Sequence, residues 1–225
     1  MRSLSKIVAR ILITALLLSS APVLTPAQST AKAPQRATST PYTGDLSIFE
    51  YPDRDEKLQV NRVMDILHIK PGSTVGDIGA GSGWFTVRAA KRVGPTGLIY
   101  AVDINSAAIS YINDRAKREH LENIRTIQSR EDDPLLPANS VDSVLLLKTY
   151  HEVAQPVRLL QNLRHALKPG ALVGIIDRNG KGDDHGVDNK VVIDEANKAG
   201  FKLVSTYDFV KPDREDYFLV LEAIQ

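Results

Sequence analysis

The sequence predicts an α/β protein with a doubly wound, mostly parallel sheet of seven strands that closes with an antiparallel C-terminal hairpin. Short apolar segments alternate with helical patterns from residue 53 onward. This order is typical of right-handed crossovers and of a parallel sheet covered on both faces. The last two strand patterns, Phe201–Tyr207 and Tyr217–Leu221, are joined by a loop too short for a helix. That loop favours antiparallel pairing at the end of the chain.

Each element has its own local signal. Apolar residues at helical spacing predict a first helix from Asp53 to His68. Asp53 and Glu56, three residues apart, have the spacing of a capping box at its N-terminus. Five further apolar segments predict strands: Thr74 to Ile78, Leu98 to Val102, Ile124 to Ile127, Val141 to Leu147 and Leu172 to Ile176. Helical patterns between and after them cover residues 83–93, residues 105–120, a segment that begins at Pro156 and ends at Lys168-Pro169-Gly170, and residues 188–199.

The first 28 residues predict a secretory signal peptide. Arg2, Lys6 and Arg10 precede a short apolar run, Ile11 to Leu18, and small residues follow near Ala27. The run is shorter than the ~20 residues that a membrane-spanning helix needs. We therefore expect an exported, periplasmic or secreted domain, with no stable membrane insertion after cleavage. An uncleaved anchor is the alternative.

Residues 29–46 are rich in Ala, Thr, Ser and Pro and predict a disordered linker. The folded domain is then expected over residues 47–225, long enough for one α/β core. The net charge is +1 and no basic stripe is present, so we expect no nucleic-acid partner. Because the chain has no cysteine, disulfides, thiolate nucleophiles and cysteine-ligated metals are excluded.

A glycine-rich segment, VGDIGAGSGWF, follows the first predicted strand. Gly79, Gly81 and Gly83 allow a ligand to approach the backbone closely. Trp84 stands where a dinucleotide-binding loop needs its third glycine or an alanine, which argues against a nicotinamide cofactor. The carboxylate of Asp77 would repel a pyrophosphate but attract an ammonium group, so the segment predicts a ligand that is zwitterionic or cationic.

The stretch D-I-G-A-G-S-G, Asp77 to Gly83, resembles motif I of the class I S-adenosylmethionine-dependent methyltransferases. Three further segments are similar to one subgroup of small methyltransferase domains: FEYPDRDE from Phe49, TYHEV from Thr149 and LKPG from Leu167. The resemblance covers roughly residues 48–222. It implies a Rossmann-like seven-stranded fold, S-adenosylmethionine as cofactor and transfer of a methyl group to an acceptor, which we expect to be a small molecule.

Asp103 ends the second predicted strand, where an acid commonly accepts hydrogen bonds from ribose hydroxyls; a helix cap is the alternative. The resemblance implies that Asp77 faces the methionine part of the cofactor. In the family, an acid after the third strand often binds the adenine amino group, but Arg130 stands roughly at that place, so Glu131 or Asp132 would substitute. The predicted cofactor-binding residues are Asp77, Gly79, Ala80, Gly81, Gly83, Asp103, Ile104, Glu131, Asp132 and Lys148.

The catalytic candidates follow the fourth strand, in the segment KTYHEV. Methyl transfer needs a base only if the acceptor must lose a proton, and His151 can accept one near neutral pH. Tyr150 is predicted to orient the acceptor or to close over the methyl group. A structural or helix-capping role for His151 is the alternative.

The segment after the fifth strand, Asp177 to Gly186, contains glycines and acids and predicts a mobile lid. Asp183, Asp184 and His185 could serve as metal ligands, but the sequence offers no second spaced cluster, so we predict no metal. A domain that binds the cofactor without catalysis is the main alternative function, and cofactor turnover separates it from an enzyme.

Overall fold

The computed structural model of the protein describes residues 36–224. The predicted signal peptide, residues 1–28, therefore lies outside the described residues, as does the first part of the predicted linker. Within residues 36–224, no helix has both the length and the apolar character that crossing a membrane requires.

The described chain forms seven strands and six α-helices. The helices are α1 (Arg54–Leu58), α2 (Val60–Ile66), α3 (Trp84–Val93), α4 (Ser106–Arg118), α5 (Pro156–Arg164) and α6 (Asn189–Lys198). The strands are β1 (Thr74–Ile78), β2 (Leu98–Asp103), β3 (Ile124–Gln128), β4 (Val141–Leu147), β5 (Leu167–Asp177), β6 (Phe201–Tyr207) and β7 (Tyr217–Ala223). Short 3-10 turns precede α1 and follow β4.

The seven strands form a single sheet with the order β3-β2-β1-β4-β5-β7-β6. The first five are parallel, and β7 runs antiparallel to both of its neighbours, β5 and β6. The chain order reverses between β1 and β4, and open α/β sheets bind ligands at the carboxyl edge beside such a reversal. The predicted fold class and the antiparallel C-terminal pair are confirmed.

The sheet has a layer of helices on each face. One buried apolar cluster joins the strands to residues of α1, α2, α3 and α4, and the other joins them to α5 and α6. Successive residues of a strand point to opposite faces of the sheet, so Leu145 belongs to the first cluster and Leu146 to the second. A central strand buried on both faces explains why Val141–Leu147 is almost continuously apolar.

Two local predictions are wrong. The first predicted helix is split, because Gln59 adopts a left-handed conformation (φ 53°) between α1 and α2. Asp53 is also left-handed and makes no side-chain cap, so the capping box is absent. The second wrong prediction concerns the end of α5. This helix already ends at Arg164, and Lys168-Pro169-Gly170 lies inside β5, next to a shift in its pairing with β4 near Val141. A strand irregularity accommodates the proline that we expected to end the helix.

Candidate active site

The glycine segment forms a tight loop between β1 and α3. Gly79, Gly81 and Gly83 all have positive φ angles, of 72°, 55° and 73°. A Cβ on Gly79 would lie 2.2 Å from the side chain of Thr149, whose hydroxyl lies 3.3 Å from the Gly79 carbonyl and donates to it. The loops after β1 and β4 therefore touch, as the strand order requires.

Asp77 is the next-to-last residue of β1, and its carboxylate is buried at the base of the glycine loop. Its Oδ2 accepts a hydrogen bond of 2.5 Å from the Thr86 hydroxyl of α3. Burial raises the pKa of Asp77 to about 7, although the Thr86 hydrogen bond opposes the shift. A carboxyl group that ionises near neutral pH in an enclosed place responds strongly to a cationic ligand. This is consistent with its predicted contact with the methionine part of the cofactor.

Asp103 connects the glycine loop to α4. Its Oδ2 accepts a hydrogen bond of 2.9 Å from the Gly81 N–H, and its Oδ1 accepts one of 2.8 Å from the Asn105 N–H. Burial raises its pKa, while these backbone hydrogen bonds lower it. The structural role that sequence analysis left open is thus present. Each carboxylate oxygen keeps a second lone pair, so the predicted ribose contact remains compatible with this geometry.

A cavity of about 600 Å³ opens at the carboxyl edge of the sheet. Most of the predicted site residues, His151 among them, line this one cavity. The predicted residues that line it are Asp77, Gly79, Ala80, Gly81, Asp103, Ile104, Glu131, Lys148 and His151. The volume lies within the roughly 300–1,000 Å³ that is usual for small-molecule sites.

Three predicted site residues do not line this cavity. Gly83 faces Ile112 of α4, where a Cβ would lie 3.1 Å away, so it allows helix packing. Asp132 forms a 2.8 Å ion pair with Arg158. Tyr150 is fully buried in the apolar cluster beneath the site, and burial raises the pKa of its phenol well above its ordinary value. The expectation that Tyr150 orients the acceptor is therefore not met by its position.

Lys148 belongs to a charged network rather than standing free in the cavity. Its Nζ lies 2.7 Å from Glu215 and donates to the Asp213 carbonyl at 3.0 Å. Burial raises the pKa of Glu215 to about 7, against the opposing effect of Lys148. Tyr51 donates a short hydrogen bond to Asp213. This network attaches the loop before β7 to the end of β4.

His151 is held by Asp177 at the end of β5. Its Nδ1 lies 2.9 Å from Asp177 Oδ1, and its backbone N–H donates to Oδ2 at 3.0 Å. Burial lowers the pKa of His151, but the hydrogen bond and the negative charge of Asp177, with Glu152 and Glu215, raise it overall. In the neutral ring the Nδ1–H donates to Asp177 and Nε2 keeps its lone pair, as in other His–Asp pairs.

Glu152 and His185 stand beside this ring. The Glu152 Oε1 lies 3.9 Å from His151 Nε2, and burial raises the pKa of Glu152 to about 7. The ring of His185 packs edge-on against that of His151 at 5.9 Å. The loop after β5 therefore meets the turn after β4, a proximity that the sequence did not indicate.

Residues 36–42 contact the domain, although sequence analysis assigned them to a disordered linker. Arg36 forms a 3.0 Å ion pair with Glu195 of α6 and donates to the Tyr150 carbonyl at 2.7 Å. The Ser39 N–H donates to the His151 carbonyl at 3.2 Å. We call residues 36–42 the N-terminal strap; residues 38–42 line the cavity. The predicted boundary at residue 47 falls after a segment that already belongs to the site.

Sequence analysis also missed two cavity residues just after the strap. Phe49 lies opposite Gly81 and packs edge-on against Tyr42. Arg54 stacks over the Trp84 ring at 4.3 Å and donates to the Phe49 carbonyl at 2.6 Å. Both lie in the FEYPDRDE segment, which carried part of the family resemblance but gave no indication of contact with the glycine loop.

The strand order, the glycine loop with its two strand-end acids and the cavity define the class: a class I S-adenosylmethionine-dependent methyltransferase. The model of a family described as "Methyltransferase domain" matches residues 69–204. The chain belongs to this family, and the predicted family and cofactor are confirmed.

Curated relatives and solved structures agree with this class. A 2-phytyl-1,4-naphtoquinone methyltransferase of Trichormus variabilis is 33% identical over 109 residues, 48% of each chain. A ubiquinone/menaquinone biosynthesis C-methyltransferase of Hydrogenovibrio crunogenus is 27% identical over 54% of this chain and 48% of its own. The chain thus spans about half the length of these relatives.

Among solved structures, a SAM-dependent methyltransferase from Aquifex aeolicus superposes with a TM-score of 0.71 at 26% identity, covering 80% of this chain and 98% of its own. Aeropyrum pernix fibrillarin, solved with S-adenosyl-L-methionine bound, has a TM-score of 0.57 at 19% identity, covering 74% of each chain. The second likeness shows the fold alone.

Proposed function

We propose that this protein transfers the methyl group of S-adenosylmethionine to a small-molecule acceptor that is activated beside His151. One observation carries the proposal. A single cavity has the glycine loop, Asp77 and Asp103 on one side and the His151–Asp177 pair on the other. A cofactor held by the first wall would present its methyl group toward the second.

In this reaction, the alignment of the acceptor with the methyl group contributes more to the rate than acid–base catalysis does. The sulfonium of the cofactor already activates its methyl carbon, so the protein has to hold the acceptor in line with the breaking C–S bond and exclude water. An acceptor that carries an O–H, N–H or S–H group must also lose a proton. The Nε2 lone pair of His151 supports this step, because it can accept the proton or bind a cation that lowers the acceptor's pKa.

The size of the cavity supports a small acceptor. Residues 38–42 and Phe49 line a space of about 600 Å³ that has to hold the cofactor as well as the acceptor. One of the relatives is named as a 2-phytyl-1,4-naphtoquinone methyltransferase and the other as a ubiquinone/menaquinone biosynthesis C-methyltransferase. Naphthoquinones and their reduced forms are therefore the first compounds to test, and simple phenols and thiols follow as acceptors that must lose a proton.

The test measures formation of S-adenosylhomocysteine with the full-length protein and each acceptor, together with tritium transfer from labelled cofactor into a cell-envelope extract. We expect the label in a low-molecular-weight product and one molecule of S-adenosylhomocysteine for each methyl group transferred. Tight cofactor binding without turnover on any acceptor or extract would contradict the proposal and favour a domain that only binds the cofactor.

We also propose that the protein works outside the cytoplasm. The basic N-terminus, the short apolar run Ile11 to Leu18 and the small residues that follow support export. Mass spectrometry of the protein from its native cells should find a new N-terminus near residues 27–29 in the exported fraction. An intact N-terminus in the cytoplasmic fraction would refute this.

A further inference from the structure

Three metal-ligating side chains converge on the acceptor side of the cavity. One nitrogen each from His151 and His185 and one carboxylate oxygen of Glu152 lie within 4.8 Å of one another. All three residues line the cavity. Two imidazoles and one carboxylate are a ligand set that divalent zinc and related transition metals bind in proteins, often with an open position for water or substrate.

The ring of His151 is already oriented as a metal ligand would be. Asp177 accepts from Nδ1 and also from the His151 backbone N–H, so the ring cannot turn freely and its Nε2 faces Glu152. A carboxylate behind a ligating histidine fixes the tautomer and increases the basicity of the other nitrogen. Asp177 thus acts as a positioning residue for this ligand.

His185 is held at the backbone, and its ring packs edge-on against that of His151. Its N–H donates to the Ser39 hydroxyl at 2.9 Å, and that hydroxyl also contacts the Gly182 carbonyl at 2.9 Å. The side chain itself is exposed. Two zinc ligands at about 2.0–2.2 Å from the ion lie about 3.4 Å apart at a tetrahedral angle. The three ligand atoms, now within 4.8 Å of one another, would therefore have to approach by at most about 1.4 Å to bind one ion. A rotation of the exposed His185 side chain supplies such a shift.

We propose that His151, Glu152 and His185 bind a divalent transition metal, with zinc as the test ion, in the acceptor half of the cavity. The metal would leave one coordination position open toward the cofactor. Two neutral imidazoles and the charges of Glu152 and Asp177 would balance a divalent cation. This interpretation replaces the prediction of no metal, because the turn after β4 supplies the second cluster that sequence analysis did not find.

The inference deepens the proposed function and rests on it for the chemical role. An acceptor O–H or S–H group bound at the open position would lose its proton to water, since a bound metal lowers its pKa. The resulting anion would attack the methyl carbon as the C–S bond breaks, and the sulfonium would become the neutral thioether of S-adenosylhomocysteine. His151 then acts through the metal and not as a base.

The test begins with isothermal titration of zinc into tag-free, EDTA-dialysed full-length protein. We expect one zinc per chain for the wild type. His185→Ala and Glu152→Gln should each weaken zinc affinity at least tenfold, and Asp177→Asn should weaken it by about 10–100-fold. His165→Ala is the matched control, because this exposed histidine lies at the opposite edge of the sheet; it should leave the titration unchanged.

A second measurement reports the ligands directly. Cobalt added in place of zinc should give the visible absorption of a four-coordinate nitrogen and oxygen site, and His185→Ala should abolish it while S-adenosylhomocysteine still binds. Retained cofactor binding shows that the variant is folded. A wild type that binds neither ion, or a His185→Ala variant that binds both as the wild type does, would overturn the proposal.

The two proposals fail separately. Methyl transfer that survives EDTA dialysis, in a protein that binds no zinc, would remove the metal and leave the proposed function intact. Stoichiometric zinc binding without methyl transfer to any acceptor would leave the metal site intact and remove the proposed function.

Discussion

The two walls of the cavity are built in different ways. The proposed cofactor wall comes mainly from one short stretch, Asp77 to Ser82, and from Asp103 on the neighbouring strand. Its shape depends on backbone: positive φ angles, N–H groups and the start of α3. The acceptor wall is assembled from the N-terminal strap, the turn after β4 and the loop after β5. It depends on side chains that meet across more than a hundred residues.

This difference indicates which part of the cavity determines specificity for the cofactor and which part determines specificity for the acceptor. A wall made of backbone and glycine admits one shape of ligand and tolerates few substitutions. A wall made of side chains from separate loops can change its ligand without changing the fold. Five predictions test this contrast, ordered by the size of the expected effect.

The largest effect is expected for His151→Ala. Removal of this ring should lower the single-turnover rate of methyl transfer by about 10²–10⁴-fold, because the acceptor loses the group that activates it. Cofactor affinity should remain nearly that of the wild type, since the ring lies on the other wall. Rapid-quench kinetics and calorimetry on one preparation measure both. A rate within about threefold of the wild type would assign His151 a purely structural role.

Asp77→Asn should act on the opposite wall. The loss of a charged interaction with the cofactor is worth about 1.5–3 kcal/mol, a decrease in affinity of roughly 10–150-fold. The chemical step at saturating cofactor should change much less than in His151→Ala. Equal losses of affinity and saturated rate would show that the walls are not separable.

The same carboxyl group predicts a pH dependence. Its pKa is about 7 in the folded protein and 3.8 in the unfolded chain. The folded state therefore holds a proton that the unfolded chain releases, so the stability from this group is fully present below pH 3.8 and is lost as pH rises through 7. A cationic cofactor favours the ionised form, so its affinity should rise between pH 6 and 8, by up to about tenfold per unit of lowered pKa.

Calorimetry at pH 6, 7 and 8 measures this cofactor dependence, and denaturant unfolding across pH 4–8 measures the stability. In Asp77→Asn the affinity should vary less with pH, and the decrease of unfolding free energy between pH 4 and 7 should be smaller. A pH profile of cofactor affinity identical in wild type and variant would exclude Asp77 as its origin.

Gly79→Ala should destabilise the backbone-built wall. The alanine would carry a φ of 72° and a Cβ 2.2 Å from Thr149. Gly170→Ala is the matched control, because its φ is 76° and nothing lies within 4 Å of its added Cβ. The control should cost about 1–2 kcal/mol of unfolding free energy from the backbone alone, and Gly79→Ala clearly more. Equal costs in denaturant unfolding would show that the contact with Thr149 is loose.

The smallest effect is expected for Ser39→Ala on the acceptor wall. This change removes the hydroxyl that holds the His185 N–H and the Gly182 carbonyl, a loss of about 0.5–1.5 kcal/mol per hydrogen bond. The KM for the acceptor should rise several-fold while cofactor affinity stays constant. Ser205→Ala on β6, a serine outside the cavity lining, serves as the control. A change in cofactor affinity alone would place the strap on the other wall.

The amino-acid sequence by itself determined the sheet, the glycine loop and the cofactor wall. Strand and helix periods are local, positive φ angles select glycine, and Asp77 and Asp103 end apolar strands, so each signal lies within a few neighbouring residues. Parallel strands then bring both acids to the same edge. This is why the fold and the family could be predicted, and why most of the predicted cofactor residues line one cavity.

Only the tertiary structure decided the acceptor wall. It buried Tyr150 in the core, paired Lys148 with Glu215 and His151 with Asp177, and brought His185 against the same ring. It also placed Arg36 on Glu195, 159 residues away, within a segment of linker-like composition. Such contacts depend on how separate loops pack after the sheet has formed, and no local period or propensity encodes them.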